Sequence, residues 1–337
     1  MSEVTIQGHK VAGGTRAYFT LPVSYMANGS MMEIPVHVVN GVKPGPKLML
    51  TALSHGDAPT GLEVIRQVLE TVDIDQLSGT IIAVPCQNPV AFEWNRRNTP
   101  LDSYNMNRTY PGNPKGWFTE QLAATISPLC DDADYLIDWH GGEFGMAINY
   151  VLLKLNGGDF VDEGVAMGKA FGLEYMYGGK PAGALNSYAG SLTDYMLSLG
   201  KPAIIAEQGH GMPLAFDQNA LSVQGVFNVL KYIGAYPGKP ILPKKQYFLQ
   251  ERPLMRPRNG GMFYPECGME LLNKVVPKGT LMATIRNPLT LQVVEQMYAP
   301  CEETVFLMMR GWMSVVNPGG YAYIMGERKS AKVFENE

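Results

Sequence analysis

The sequence predicts an α/β fold in which helices flank a mostly parallel mixed sheet, followed by a small all-β domain at the carboxyl end. Three observations lead to this prediction. Strand-like apolar runs alternate with helix-like runs from about residue 46, short β-like runs with Pro and Gly turns replace them after about residue 238, and 46% of the 337 residues are hydrophobic. Strands interleaved with helices are typical of a parallel sheet covered on both faces.

The first unit of this alternation is a buried strand followed by an amphipathic helix. KLMLTAL at residues 47–53 is almost entirely apolar, as expected of a strand without a solvent face. Residues 61–72 repeat apolar side chains at helical spacing, which places on one face Leu62, Ile65, Val68, Leu69 and Val72.

Later units continue the pattern. Further strands are predicted at 79–86, 134–140 and 202–209, and further helices at 119–130 and 221–235. The polar segment 87–118 between them is rich in Asn, Arg, Gly and Pro. A loop of that length inside a compact domain is usually functional.

The carboxyl-terminal part has a different character. PGKPILPKKQ is a Pro- and Lys-rich connector, and the sequences VPKGT and VNPGG beyond it are typical of tight turns between short strands. We therefore expect an α/β domain over residues 1–240 and a small β domain over residues 241–337.

Composition and charge exclude several classes of protein. The net charge is −4 and the pI is about 5.8, so no basic face is available for nucleic acid or an anionic membrane. Every apolar run is far shorter than the roughly 18 residues of a membrane-spanning helix. The amino terminus lacks the pattern of a secretory signal, and the four scattered cysteines favour free thiols in a cytoplasmic protein.

Three ionisable residues come at the carboxyl ends of predicted parallel strands: His55, His140 and Glu207. Ligands of open α/β sheets bind at that edge. Two neutral imidazoles with a nearby carboxylate are suited to a catalytic zinc site, which has about three protein ligands and one open position. A single histidine is more often structural, and His37 within an alternating strand pattern is expected to be so.

The polar segment 87–118 contains the donors Arg97, Asn107 and Arg108. The planar guanidinium group of arginine suits a carboxylate or an oxyanion that develops on a carbonyl. Alternatively, these side chains tie the long loop to itself through backbone carbonyls. Composition leaves both interpretations open.

Four motifs in order resemble the succinylglutamate desuccinylase/aspartoacylase family of zinc hydrolases. They are GPKLMLTALSHGDAPTG, NPVAF with RNTPLDSYNMNRTYPG, ADYLIDWHGG and PAIIAEQG. The likeness runs from about residue 33 to 325 and is nearest to the bacterial branch that includes acetyl-diaminobutyrate deacetylases. It implies a zinc carboxypeptidase-like fold whose carboxyl-terminal β-barrel or sandwich domain overhangs the active-site cleft.

The resemblance also implies a role for each candidate residue. His55 and His140 would bind zinc or another divalent metal, and Glu207 would act as the general base and acid. Arg97 would stabilise the oxyanion of the tetrahedral intermediate, while Asn107 and Arg108 would hold the carboxylate of the substrate.

One position departs from the family pattern. The family has a glutamate ligand three residues after the first histidine, and this chain has Ala58 there. Asp57 could turn inward as the replacement ligand, or Glu143 could supply the missing oxygen from the opposite side. In the third interpretation the metal is weakly held or absent, and a deliberately introduced change of glutamate to alanine would be one form of it.

Three hypotheses of function follow. The leading one is metal-dependent hydrolysis of an amide C–N bond in a small N-acylated molecule that carries a carboxylate. A second is a non-catalytic protein that binds a small acid, which Ala58 favours. A carboxypeptidase acting on peptides is less favoured, because the overhanging domain would restrict access. A homo-oligomer is also expected from the Met-rich, lightly charged composition.

Overall fold

The computed structural model describes residues 2–142, 145–155, 161–179, 189–211 and 219–336. In these ranges the chain forms a large mixed sheet, helices on both of its faces, and a smaller sheet near the carboxyl end. The predicted fold class is confirmed.

The amino-terminal part of the chain contains both strands and helices. The strands are β1 (Val4–Ile6), β2 (His9–Val11), β3 (Thr15–Tyr25), β4 (Met31–Asn40), β5 (Lys43–Thr51), β6 (Ser78–Val84), β7 (Tyr135–His140), β8 (Met146–Lys154), β9 (Tyr175–Gly179) and β10 (Ala203–His210). The helices are α1 (Thr60–Thr71), α2 (Pro89–Glu93), α3 (Phe118–Ile126), α4 (Leu129–Asp132), α5 (Val161–Phe171), α6 (Leu192–Ser198) and α7 (Asn219–Tyr232).

The remaining strands follow helix α7. They are β11 (Lys245–Leu249), β12 (Leu254–Met255), β13 (Gly261–Pro265), β14 (Val275–Pro277), β15 (Leu281–Arg286), β16 (Val293–Tyr298), β17 (Glu303–Arg310), β18 (Ser314–Val316), β19 (Tyr323–Glu327) and β20 (Lys332–Glu335).

Four parallel strands form the centre of the large sheet, in the order β10, β7, β5, β6. Antiparallel strands extend it on both sides, β4 and β3 beyond β6, and β8, β17, β19 and β12 beyond β10. All four central strands therefore end at one edge of the sheet, where the candidate residues were expected.

The two faces of the sheet have separate hydrophobic cores. Helices α1, α5 and α7 cover one face, around buried residues such as Ile137 and Trp139. Helices α3, α4 and α6 cover the other face, around residues such as Leu136 and Met49. Alternation along β7 therefore sends Leu136, Asp138 and His140 to the second face.

Residues after 240 take part in both sheets. Strands β11, β12, β14, β17, β19 and β20 join the large sheet, and β13, β15, β16 and β18 form a four-stranded antiparallel sheet of their own. Because β17 pairs directly with β8, the boundary at residue 240 does not separate the sheets, and the domain division stays a prediction.

Two local predictions differ from the structure. The helix expected at 119–130 is two helices, α3 and α4, because Pro128 lacks the N–H that a continuous helix needs. The segment 87–118 contains helix α2 and a 3₁₀ turn at Met106–Arg108. Within the described ranges, no helix has the length and apolar character to cross a membrane. The cytoplasmic location stays a prediction.

Candidate active site

The three residues predicted at strand ends meet at the carboxyl edge of the central strands. His140 is the last residue of β7, and Glu207 is its register partner on β10. His55 lies in the turn that follows β5, which ends at Thr51. Strand β10 continues to His210, so Glu207 lies within the strand and not at its end.

The imidazole rings of His55 and His140 face each other. Their Nδ1 atoms are 3.2 Å apart, and the two residues are only 5% and 6% exposed. Two nitrogens that each lie about 2.0–2.1 Å from one tetrahedral zinc ion are roughly 3.3 Å apart. The separation of the two rings therefore fits a shared metal ion.

A buried carboxylate supports His140. Asp138 is fully buried, and its Oδ2 lies 3.0 Å from Nε2 of His140. Its Oδ1 accepts hydrogen bonds from the Thr51 hydroxyl at 2.7 Å and from the Gln87 amide at 2.9 Å. Since an ionised carboxylate only accepts, these contacts place the His140 proton on Nε2 and leave the Nδ1 lone pair directed at His55.

Tyr110 extends this network as a hydrogen-bond donor. Tyr110 donates its hydroxyl hydrogen to Oε1 of Gln87, which orients the Gln87 amide toward Asp138. Burial, together with the nearby Asp138 charge, raises the pKa of Tyr110 well above its ordinary value. Tyr110 therefore keeps its proton at neutral pH.

An amide oxygen supports His55. Oδ1 of Asn105 lies 2.9 Å from Nε2 of His55 and also accepts a hydrogen bond from the backbone N–H of Asn107 at 3.0 Å. The backbone donor fixes which end of the amide is the oxygen. Nε2 of His55 must then carry the proton, so its Nδ1 lone pair faces that of His140.

The surroundings also keep His55 uncharged. Burial, followed by the positive charge of Arg97 and by His140 and Arg108, lowers the pKa of His55 well below its ordinary value. The two Nδ1 atoms, 3.2 Å apart, would both be directed at a cation placed between the rings, which is the arrangement that two histidine ligands of one metal take.

Ala58, at the position where the resemblance implies a glutamate, is packed against neighbouring residues. It is 5% exposed, and a Cβ built on Gly141 would lie 3.3 Å from its Cβ. Asp57 is partly buried beside it. Among the residues that the structure describes, no three His, Cys, Asp or Glu side chains form a group that could hold a metal. The ligand role of Asp57 stays a prediction, and Glu143 lies outside the described residues.

The loop donors lie around the same point. Arg97 is half-buried and Arg108 is exposed, and both act electrostatically on His55. Asn107 is buried, and its Nδ2 lies 3.2 Å from Nε2 of His140, but both nitrogens are donors in this tautomer, so the approach is not a hydrogen bond. Its Oδ1 has no hydrogen-bond partner in the described ranges. Arg108 also donates to the backbone oxygen of Asn107 at 2.6 Å. The tie within the loop is therefore observed for Arg108, and its role in binding the substrate stays a prediction.

The supporting residues were not predicted from the sequence. Asp138 could have been found, because it precedes His140 by two residues and so lies on the same face of a strand. Asn105 and Gln87 carry no comparable signal, since the folding of the 87–118 segment brings them to the histidines.

Comparison with known proteins identifies the family that this sequence matches. The sequence model of the succinylglutamate desuccinylase/aspartoacylase catalytic domain matches residues 44–233, more than half of the chain. The N-alpha-acetyl-L-2,4-diaminobutyric acid deacetylase of Halomonas elongata is 28% identical over 252 residues, which cover 72% of this chain and 70% of that protein.

Solved structures share the fold over nearly the whole chain. The succinylglutamate desuccinylase/aspartoacylase of Rhodobacter sphaeroides superimposes with a TM-score of 0.80 at 21% identity, covering 93% of this chain and 95% of that one. The product-bound ectoine utilization protein of Ruegeria pomeroyi gives a TM-score of 0.80 at 24% identity, with the same 93% of this chain and 95% of that one covered. The chain therefore belongs to the succinylglutamate desuccinylase/aspartoacylase family, whose members are deacylases of N-acylated amino acids.

Proposed function

We propose that the protein is a metal-dependent hydrolase that cleaves the amide C–N bond of a small N-acylated compound bearing a carboxylate. The observation that carries the proposal is the pair of buried Nδ1 atoms 3.2 Å apart, beside a carboxylate in register with His140. His55 and His140 would hold zinc or another divalent metal. When bound, such a metal lowers the pKa of water toward neutrality and polarises the acyl carbonyl.

Residues of the chain would carry out proton transfer, charge stabilisation and substrate binding. Glu207 takes a proton from the attacking water and returns it to the leaving amine nitrogen. Arg97 stabilises the negative charge that develops on the carbonyl oxygen. Asn107 and Arg108 hold the carboxylate of the substrate and so fix the scissile bond next to Glu207.

Asp57 is the proposed third metal ligand. It is partly buried and immediately precedes Ala58 in the turn after His55. A carboxylate oxygen would complete the number of protein ligands that a catalytic metal site requires.

The relative from Halomonas elongata suggests the first substrate to test, N-acetyl-L-2,4-diaminobutyrate. N-acetyl-L-aspartate and N-succinyl-L-glutamate test the other activities named in the family description. Release of the free amine should require metal and should fall by about 10²–10⁴-fold in Glu207→Gln, because the proton carrier is lost. Metal content should be the same in that variant. Near-normal turnover of Glu207→Gln would exclude it as the base.

A second candidate is a protein that binds a small acid without hydrolysing it. Ala58 favours this function, since the described residues provide only two histidines as evident ligands. Calorimetric titration with the same three compounds, with and without chelator, distinguishes the two. A binder without a metal keeps its affinity and releases no amine.

A further inference from the structure

A residue from the carboxyl-terminal part of the chain hydrogen-bonds Tyr150, the cross-strand partner of Glu207. Arg252 lies in the segment between β11 and β12, beyond the predicted boundary at residue 240. Its Nη1 donates a hydrogen bond to the hydroxyl of Tyr150 at 2.7 Å. Its guanidinium group lies over the ring of Tyr177, 5.0 Å from the ring centroid. The side chain is therefore held in one orientation by two aromatic partners.

Tyr150 connects this arginine to the candidate base. It is fully buried on β8 and is the direct cross-strand partner of Glu207 on β10. Directly opposed residues in an antiparallel ladder have their side chains on the same face and in contact range. Glu207 thus has His140 on one side, across the parallel ladder, and Tyr150 on the other.

Electrostatics agree with this arrangement. Burial lowers the pKa of Arg252, but the hydroxyl of Tyr150 and the carboxylate of Glu207 outweigh it, and the net pKa is raised. Burial and the Glu207 charge raise the pKa of Tyr150, while Arg252 opposes them. The charges of Arg252 and Glu207 therefore both act on the hydroxyl of Tyr150 between them.

We propose that Arg252 is a positioning residue that, through Tyr150, holds the Glu207 carboxylate in the orientation for proton transfer; this inference rests on the proposed function. A carboxylate that carries a proton between water and an amine must keep one oxygen directed at the reaction. A neighbouring cation restricts its rotation. The carboxyl-terminal part would then supply a working component of the site as well as strands of the sheet.

Steady-state kinetics on N-acetyl-L-2,4-diaminobutyrate with the metal-loaded enzyme test the proposal. Arg252→Met should lower kcat by up to about a hundredfold and leave KM within about twofold, because orientation and not binding is lost. Arg252→Lys should restore much of kcat, and Tyr150→Phe, which removes only the hydroxyl, should lower kcat less than Arg252→Met does. In the Glu207→Gln background, Arg252→Met should have no further effect on kcat.

Arg328→Met is the matched control. Arg328 also follows residue 240, pairs with the carboxylate of Glu303 at 2.9 Å and lies 5.8 Å from the centroid of the Tyr247 ring. It should lower the melting temperature but leave kcat unchanged. An equal loss of kcat in both arginine variants would show that Arg252 is only a structural tie and would overturn the proposal.

A second measurement does not depend on activity. The melting temperatures of the wild type, Arg252→Met, Glu207→Gln and the double variant form a cycle in which the two changes should be non-additive. Additive shifts would overturn the coupling between Arg252 and Glu207. A wild-type protein that releases no amine from any of the three compounds would overturn the proposed function instead, and this cycle would still decide whether the two residues are coupled.

Discussion

The two histidines of the candidate site reach the same point from different kinds of backbone. His140 ends a central strand, whereas His55 lies in a turn beyond the end of β5. Their Nε2 partners differ in the same way, since His140 faces the buried carboxylate of Asp138 and His55 faces the amide oxygen of Asn105. The half of the site on the strand, His140 with Asp138, is thus charged and anchored in the sheet. The half on the turn, His55 with Asn105, is neutral and depends on a loop. We call them the strand-borne half and the turn-borne half.

The family resemblance implies a glutamate ligand in the turn-borne half, where this chain has Ala58. The support of the strand-borne half involves Thr51, Gln87 and Tyr110, which are tied to the sheet and its core. A change there leaves buried polar groups without partners, which costs about 1–3 kcal/mol for each group.

Restoring the carboxylate of the turn-borne half should have the largest effect on metal binding. An apparent zinc affinity of about 12 kcal/mol shared by four ligands amounts to about 3 kcal/mol for each ligand. Ala58→Glu should therefore tighten the metal roughly a hundredfold, since 1.4 kcal/mol is a factor of ten. Competition with a chromogenic chelator measures this affinity.

Ala58→Gln is the control for that variant, because it adds nearly the same volume without the charge. Ala58 packs near Gly141, so melting temperatures of both variants report any cost of the added bulk. A wild-type protein that already binds one tight equivalent of metal, with no gain in Ala58→Glu, would show that Asp57 or Glu143 provides the ligand.

Removing the charge from the strand-borne half should have the next largest effect. Asp138→Asn should weaken metal binding by about 10–100-fold, because the carboxylate makes His140 a more basic ligand and fixes its tautomer. The variant should also be less stable, since Asp138 is fully buried and accepts from both Thr51 and Gln87.

Asp194→Asn is the control that separates the loss of stability from the loss of metal affinity. Asp194 caps helix α6 through Ser191 and has no contact with either histidine among the described residues. It should lower the melting temperature and leave metal affinity unchanged. Equal metal affinity in Asp138→Asn and the wild type would mean that the carboxylate serves only the fold.

The same comparison shows how far the sequence could predict the site. The strands that carry His140 and Glu207 were predictable because their apolar runs and the helices between them are local patterns. The roles of Arg97, Asn107 and Arg108 are implied only by the resemblance and stay predictions, since side chains in a loop have no periodicity that indicates their direction.

Non-local pairing explains what could not be predicted. Strand β17 pairs with β8, and Arg252 hydrogen-bonds Tyr150, across more than 100 residues of sequence. The short runs after residue 240 show turns and strands but not their partners, so the sequence indicated a separate β domain. In the structure, several of these strands complete the sheet that carries Glu207.

The smallest effect on metal affinity is expected from giving His55 a carboxylate partner like that of His140. Asn105→Asp replaces the amide oxygen 2.9 Å from His55 with a carboxylate oxygen of similar position. The added charge should make His55 a better ligand and tighten the metal by up to about tenfold, the lower end of what such outer partners contribute. Asn98→Asp is the control, because Asn98 belongs to the same loop and, within the described part of the chain, its side chain hydrogen-bonds the backbone oxygen of Ser103 and neither histidine. Metal affinity that falls in Asn105→Asp and not in Asn98→Asp would show that the neutral partner is required, and that the two halves work because they differ.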